Sequence, residues 1–222
     1  METWYLLDSG AGAPAWNMAL DEALLETAPQ RARPVLRFYG WTEPAATFGY
    51  SQKYVQAAAL TPLRPLVRRT TGGGVVPHDA DWTYSLIIPP QHDWHRLKAA
   101  ESYRRLHEWI RAALARIHVP ATLAASSQKE IPGHCFAGPE KSDVLWSGRK
   151  IAGAAQRRAR TGLLIQGSLQ PPPGAARSGW QAAMCLEMEV EWKPLPAELL
   201  PQSLALRLEK EKFGNASFNQ KR

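Results

Sequence analysis

Hydrophobic positions along the chain fall mostly into short runs, and only a few segments carry a long helical stripe. Residues 3–7, 35–39, 45–49 and 66–69 read as strands, and 82–88, rich in β-branched and aromatic residues, reads as a buried one. Residues 144–146, 150–152 and 163–165 follow as three short strands joined by glycine turns. Met184, Leu186, Met188, Val190 and Trp192 alternate with Glu187, Glu189 and Glu191, which predicts an amphipathic strand with Cys185 on its acidic face.

The clearest helix is predicted over 98–118, where Tyr103, Leu106, Ile110, Ala113, Leu114 and Ile117 recur at steps of three and four and Pro120 ends the run. A second spans 15–27, with Trp16, Met18, Leu20, Ala23 and Leu24 near one face and Asp21, Glu22 and Glu26 outward. Shorter helices are expected over 55–60 and 197–212. Residues 125–142 are polar and interrupted by Pro132, Gly133, Gly138 and Pro139, so they read as a loop, with Cys135 in its middle. Strands outnumber helices without strict βαβ alternation, which predicts an α+β fold. Its length of 222 residues suits a single domain, drawn at 1–213, with 214–222 as a flexible tail.

Composition narrows the function. The chain is 45% hydrophobic and 21% charged, with a net charge of +7, which favours an acidic partner through long-range attraction. No RNP-type aromatic pattern, zinc-finger spacing or basic helix-turn-helix accompanies that charge, so no nucleic-acid partner is expected. No apolar run approaches the roughly 18 residues of a membrane span, and no secretory signal is visible. The 2 cysteines form no disulfide framework, so both are expected as free thiols in a reducing cytoplasm. None of His78, His92, His95, His107, His118 and His134 has metal-ligand spacing to Cys or carboxylate, and no metal is expected. A monomer is the default.

Three features carry candidate chemistry. Arg68-Arg69-Thr70-Thr71-Gly72-Gly73-Gly74-Val75-Val76-Pro77-His78-Asp79 sets three glycines beside two cations and a titratable histidine. It lacks the Gly-Lys-Ser/Thr of a P-loop and the spacing of a dinucleotide turn. It fits either a tight hairpin or a loop whose backbone approaches an acyl carbonyl, carboxylate or phosphate. Lys150 lies in an apolar strand between Gly148 and Gly153, as a surface lysine or as a buried donor to a developing oxyanion. Cys135, on its loop, is either a structural thiol or a nucleophile.

Taken together, these segments resemble the biotin/lipoate protein ligase superfamily. The run from Arg68 to Asp79 is similar to its R-R-x-[ST]-G-G-G-x-V-x-H-D signature, and Gly148-Arg149-Lys150-Ile151-Ala152-Gly153-Ala154-Ala155-Gln156 is similar to its catalytic-lysine strand. The resemblance runs from Trp16-Asn17-Met18 through Arg37-Phe38-Tyr39-Gly40-Trp41 to about Gly214. Cys135-Phe136-Ala137-Gly138-Pro139, before Lys150, looks like the nucleophile loop of the cysteine-dependent octanoyltransferases of Gram-positive bacteria. Cys185 does not match the proline-cysteine-glycine context of the other octanoyltransferase branch.

The resemblance implies a mixed, mostly antiparallel sheet packed with helices, the class II biotin/lipoate ligase-like catalytic fold. It implies Cys135 and Lys150 as catalytic residues and Arg69, Gly72, Gly73, Gly74, His78 and Gly153 as substrate-binding ones. The implied reaction transfers octanoyl or lipoyl from acyl carrier protein to a lysine of a lipoyl domain, in a 2-oxoacid dehydrogenase or the glycine cleavage H protein. It needs no cofactor. The alternative is an ATP- and Mg-dependent lipoate-protein ligase, with Arg69, Gly74 and Lys150 serving an acyl-adenylate, and a third is a non-catalytic binder of lipoyl domains or acyl chains. Residues 82–88 and 144–146 are the expected walls of an acyl tunnel. The chain departs from the pattern at Gln166, where a histidine is common, and at Pro77; residues 170–181 have no clear match.

Overall fold

The computed structural model describes residues 1–128, Gly133 and 135–221; Pro132 and His134 of the expected loop lie outside the described residues. The chain runs β1 (Thr3–Gly12), α1 (Pro14–Glu26), α2 (Ala28–Arg31), β2 (Val35–Trp41), β3 (Ala45–Phe48), α3 (Tyr54–Ala59), β4 (Leu66–Arg68), β5 (Val76–His78) and β6 (Trp82–Ile88). It continues through α4 (Asp93–Arg96), α5 (Ala99–Arg116), β7 (Ala121–Leu123), β8 (Val144–Trp146), β9 (Arg149–Ala159), β10 (Gly162–Leu169), α6 (Arg177–Glu187) and β11 (Glu191–Pro194). A 3-10 turn (Ala197–Leu199), α7 (Gln202–Leu208), a π-helical turn (Glu209–Phe213) and α8 (Ala216–Asn219) complete it.

Eight strands form one sheet in the order β11-β1-β2-β6-β10-β9-β8-β7. β1 pairs parallel with β11 and β2, and the other neighbours are antiparallel. This is the expected α+β arrangement. β6 and β10 are buried along their whole lengths because both faces are covered. On one face α5 and α6 lay Leu106, Ile110, Leu114, Trp180 and Met184 onto Leu36, Phe38, Leu86 and Ile165. On the other, Leu20, Ala23 and Leu24 of α1 and Ala205 of α7 cover Val35, Ile87 and Leu164. A second sheet, β4-β3-β5, carries the glycine run between its outer strands.

Several expectations are corrected. Residues 184–192 do not form one strand: Trp180, Ala183 and Met184 are buried at a helical step on α6, Trp109 Nε1–H donates to the Met184 carbonyl, and only Glu191–Pro194 is strand. The alternation of Met and Glu began inside that helix and misread its period. Cys185 therefore sits half-buried on α6, and burial pushes its thiol up to about 11. The helix expected over 197–212 is broken into three turns around Pro201. The strands around 150 and 163 are longer than the apolar runs suggested, because Gly153 and Gly167 are accommodated inside them. Residues 216–219 form a short helix rather than a free tail, and Asn219 Oδ1 accepts the Arg68 amide at 2.8 Å.

Asp21 and Glu22, expected outward, are buried. Asp21 Oδ1 accepts from Arg37 and from Ser85, each at 2.7 Å, and its Oδ2 accepts from Gln166 at 2.7 Å and Tyr39 at 3.1 Å. Burial and the Asp21 charge together hold the Tyr39 phenol well above its usual range. Glu22 takes Arg157 and Lys212 as partners at 3.0 and 2.6 Å. Polar side chains from four strands thus point at α1, and its acids turn in to meet them, as buried polar groups require.

Candidate active site

Strand alternation separates the two arginines that open the glycine run. Arg68 turns away and donates to the carbonyls of Tyr50, Gln52, Phe218 and Asn219, its guanidinium 4.6 Å from the Phe48 ring centre. It is a structural anchor and offers no cation to a ligand at the loop. Arg69 turns inward, donating to Thr47 Oγ1 at 2.8 Å and to the Gly72 and Gly74 carbonyls at 2.9 Å each. Burial lowers its pKa to about 10. The loop is thereby folded around its own arginine.

Glycine is required where the loop meets its neighbours. A Cβ on Gly74 would lie 2.5 Å from the Gly133 carbonyl oxygen and 3.0 Å from the Cys135 amide nitrogen. Through that gap the Cys135 segment docks against the loop, with Val75 N–H donating to Gly133 O at 2.7 Å and Cys135 N–H to Val75 O at 3.1 Å.

Lys150 reaches Cys135 from β9. Its ammonium donates to the Cys135 carbonyl at 2.7 Å and lies 3.7 Å from Sγ. Its third contact is Asp143 Oδ2 at 2.7 Å, with Lys150 4% and Asp143 0% exposed. The Tyr103 hydroxyl donates to Asp143 Oδ1 and the Glu140 amide to Oδ2. Burial first, then the Asp143 charge, raises the Tyr103 pKa well above its usual value. The flank of Lys150 passes over Gly153, where a Cβ would come within 2.7 Å of Cε and 2.8 Å of Nζ. A cation held by two oxygen acceptors beside a half-buried sulfur can stabilise a thiolate or an oxyanion formed on an attached carbonyl.

Two cavities meet at Cys135. An outer one of about 310 Å³ is lined by Gln52, Gly74, Tyr103, Glu140 and Lys150, and an inner one of about 40 Å³ by Met18, Tyr39, Trp41, Arg69, His78 and Gly153, among others. Cys135, Gly73 and Ala154 line both. Of the expected tunnel walls only Thr83 of 82–88 lines the inner cavity, and 144–146 lines neither, because β8 lies beyond β9 in the sheet.

Of the residues expected from sequence, Cys135, Lys150, Arg69, Gly73, Gly74, His78 and Gly153 line one or both cavities, while Gly72 contributes its carbonyl to Arg69. His78 is held by Asp81 at Nδ1, 2.9 Å, and by Thr47 at Nε2, 2.8 Å, and stacks on Trp41 at 3.9 Å between centres. Ionised Asp81 can only accept, so the His78 Nδ1 carries a proton toward it, while the Thr47 hydroxyl, which also accepts from Arg69, pairs with Nε2. The His78, Ser168 and Thr83 contacts hold the buried Asp81 below the usual carboxylate range, against its desolvation. Gln166, in place of the common histidine, donates to Asp21 and accepts from Thr71 at 2.7 Å, tying the glycine loop to α1.

Sequence reasoning missed Asp143, Tyr103, Asp81 and Thr47. Asp143, directly before an apolar strand, was the readable signal, since a buried lysine needs an acid nearby. Among the described residues no group of three His, Cys, Asp or Glu side chains could hold a metal ion, and no helix is long and apolar enough to cross a membrane.

His107, behind Tyr103, is fully buried, and neither ring nitrogen has a partner among the described residues. Burial, then the charge of Lys150, pushes its pKa down to about 3. The unfolded chain takes up this proton near pH 6.5 and the folded one only near 3, so acid favours unfolding across that window. Stability should fall by roughly 1.4 kcal/mol per pH unit between about 6.5 and 3 from this group. Urea unfolding at pH 7, 6 and 5 should show His107→Leu with a shallower slope than wild type; equal slopes would assign the acid sensitivity elsewhere.

The lipoyl protein ligase A/B catalytic domain family matches residues 13–170. Among curated proteins, octanoyltransferase LipM of Halalkalibacterium halodurans is 35% identical over 182 residues, covering 76% of this chain and 66% of its own. LipM of Moorella thermoacetica is 36% identical over 177 residues, covering 76% and 65%, and that of Bacillus subtilis 35% over 181, covering 76% and 65%. The chain thus spans slightly less than two thirds of these relatives' length. Among solved structures, a lipoate-protein ligase A bound with ATP superposes with a TM-score of 0.78 at 20% identity, covering 99% of each chain. A bi-partite lipoate protein ligase from Thermoplasma acidophilum gives 0.72 at 19%, covering 99% of this chain and 96% of its own. At such identities these two establish the fold alone.

Proposed function

Because the chain belongs to the lipoyl protein ligase A/B catalytic domain family, we propose that it is an acyltransferase that moves an octanoyl group from acyl carrier protein to a lipoyl-domain lysine through an acyl-enzyme on Cys135. The observation that carries this is the Lys150 ammonium 3.7 Å from Cys135 Sγ, where an outer and an inner cavity join. A ligase working through an adenylate needs no sulfur there, and the relatives in which the match extends over 76% of the chain are named octanoyltransferases.

In the first half-reaction the Cys135 thiolate attacks the thioester carbonyl carbon of the donor. The carbonyl becomes an oxyanion, for which Lys150 and the amides of the glycine loop are the stabilising donors. Collapse breaks the donor's C–S bond, and the carrier leaves as a thiol after taking up a proton. In the second, a neutral lysine amine attacks the Cys135 thioester; the C–N bond forms, the C–S bond breaks, and the amine proton passes to the departing sulfur. An amide replaces a thioester, so the exchange runs downhill without ATP. The acyl chain enters the inner cavity, whose roughly 40 Å³ opens to take it as Met18 repacks, and the carrier's arm and the acceptor lysine enter in turn through the outer one. The chain's charge of +7 favours encounter with acidic partners. The mechanism needs a reducing compartment such as the cytoplasm, where Cys135 stays a thiol.

Intact mass after mixing with octanoyl-acyl carrier protein, without ATP, tests this directly. An octanoyl adduct that disappears when a lipoyl domain is added is expected. No adduct, together with ATP-dependent attachment of free lipoate, would replace this reading with the ligase.

A further inference from the structure

We propose that Trp41 is the end wall of the inner cavity and sets the length of acyl chain accepted; this rests on the acyl-transfer reading above. The cavity runs from Cys135 and Gly153 to Trp41, His78 and Thr83. Beyond lies a separate open cleft of about 810 Å³, and the residues common to both linings are Trp41 and His78. The two rings stack at 3.9 Å with an interplanar angle of 23°, forming a partition. Trp41 Nε1–H donates to Thr83 Oγ1 at 2.7 Å, and the Tyr39 ring meets its edge at 5.7 Å, which fixes the indole across the passage.

The two sides of the partition differ in chemistry. The inner side offers Met18, Val76, Ala154 and Ala155 to an alkyl chain. Met18 is the wall best able to shift and make room, since its unbranched thioether repacks readily. The far side carries Asp8, Glu43, Asp79, Asp81 and Arg177, where a terminal methyl would desolvate charged groups. His78 cannot give way alone, because Asp81 and Thr47 pin both of its nitrogens. Trp41 is half-buried and, among the described residues, its side chain is tethered by one hydrogen bond, so it is the part of the wall one substitution can remove. Each further methylene kept from water is worth about fourfold in affinity, so opening the wall should favour longer chains by well over that factor.

The test compares wild type, Trp41→Ala and Trp41→Phe, measuring Cys135 acylation by octanoyl- and dodecanoyl-acyl carrier protein through intact mass. Calorimetric binding of octanoate and dodecanoate to the same three proteins carrying Cys135→Ser reports the cavity without chemistry. Trp41→Ala should raise the dodecanoyl-to-octanoyl ratio at least about tenfold in both assays, whereas Trp41→Phe, which keeps a ring in place, should stay near wild type. A folded Trp41→Ala protein with an unchanged ratio would overturn the proposal. If wild type forms no adduct, the acyl-transfer reading falls; a shifted binding ratio would still support the wall, and an unshifted one would remove it too.

Discussion

Cys135→Ser should fold like wild type, give no octanoyl adduct, and lose transfer by at least about a thousandfold. The fold is spared because the bonds tying this residue to its surroundings are largely main-chain: its amide to Val75 O and its carbonyl to the Lys150 ammonium. Among the described residues a serine hydroxyl beside Lys150 finds a cation but no base close enough to activate it, whereas a thiol needs only charge stabilisation to attack. Cys185→Ser serves as control. Its thiol, raised to about 11 by burial on α6, stays protonated at neutral pH, and the variant should turn over normally. An adduct forming on Cys135→Ser at the wild-type rate would place the nucleophile elsewhere and undo the proposed mechanism.

The second large effect is expected at Asp143→Asn. Lys150 and Asp143 are 4% and 0% exposed, and an asparagine leaves the ammonium buried without its counter-charge. Breaking such a pair costs about 3–5 kcal/mol, equivalent to a fall in Tm of roughly 10 °C for a chain of this length. Transfer should fall as well, since the ammonium is no longer drawn between the carboxylate and Cys135. The double variant Asp143→Asn/Lys150→Met should recover much of the Tm and none of the transfer. Thermal melts of the single and double variants beside a transfer assay would check this. A single variant as stable as wild type would mean that water reaches the pair.

Much of the site was legible because its residue types are costly anywhere else. Three glycines in a row, a lysine inside an apolar strand and a cysteine on a polar loop each resist a bland explanation, and the structure brings the cysteine against both of the others. Of the partners only Asp143 left a trace, as an acid directly before an apolar strand. Tyr103 and Thr47 look like ordinary polar residues, and only folding shows that one donates to Asp143 and the other accepts from Arg69. The helical wheel of α1 misplaced Asp21 and Glu22 because it considered one helix by itself. The clue lay in Arg37, charged in the middle of an apolar strand, whose fully buried guanidinium needs an internal acid. The α6 error had a related cause: period two over 184–192 was real, but Trp180 and Ala183, just before it, decide the geometry.

The Arg68 anchor has a temporal consequence. Its guanidinium joins the turn after β3 to main-chain carbonyls about 150 positions downstream, at Phe218 and Asn219. While the chain emerges from a ribosome, β4 and the glycine run are made long before α8 exists to accept these bonds. The loop that flanks Cys135 can therefore reach its final form only after nearly all of this sequence has been synthesised. Until then a half-made protein holds a reactive thiol without a finished site around it, so acylation competence should arise late and abruptly during synthesis.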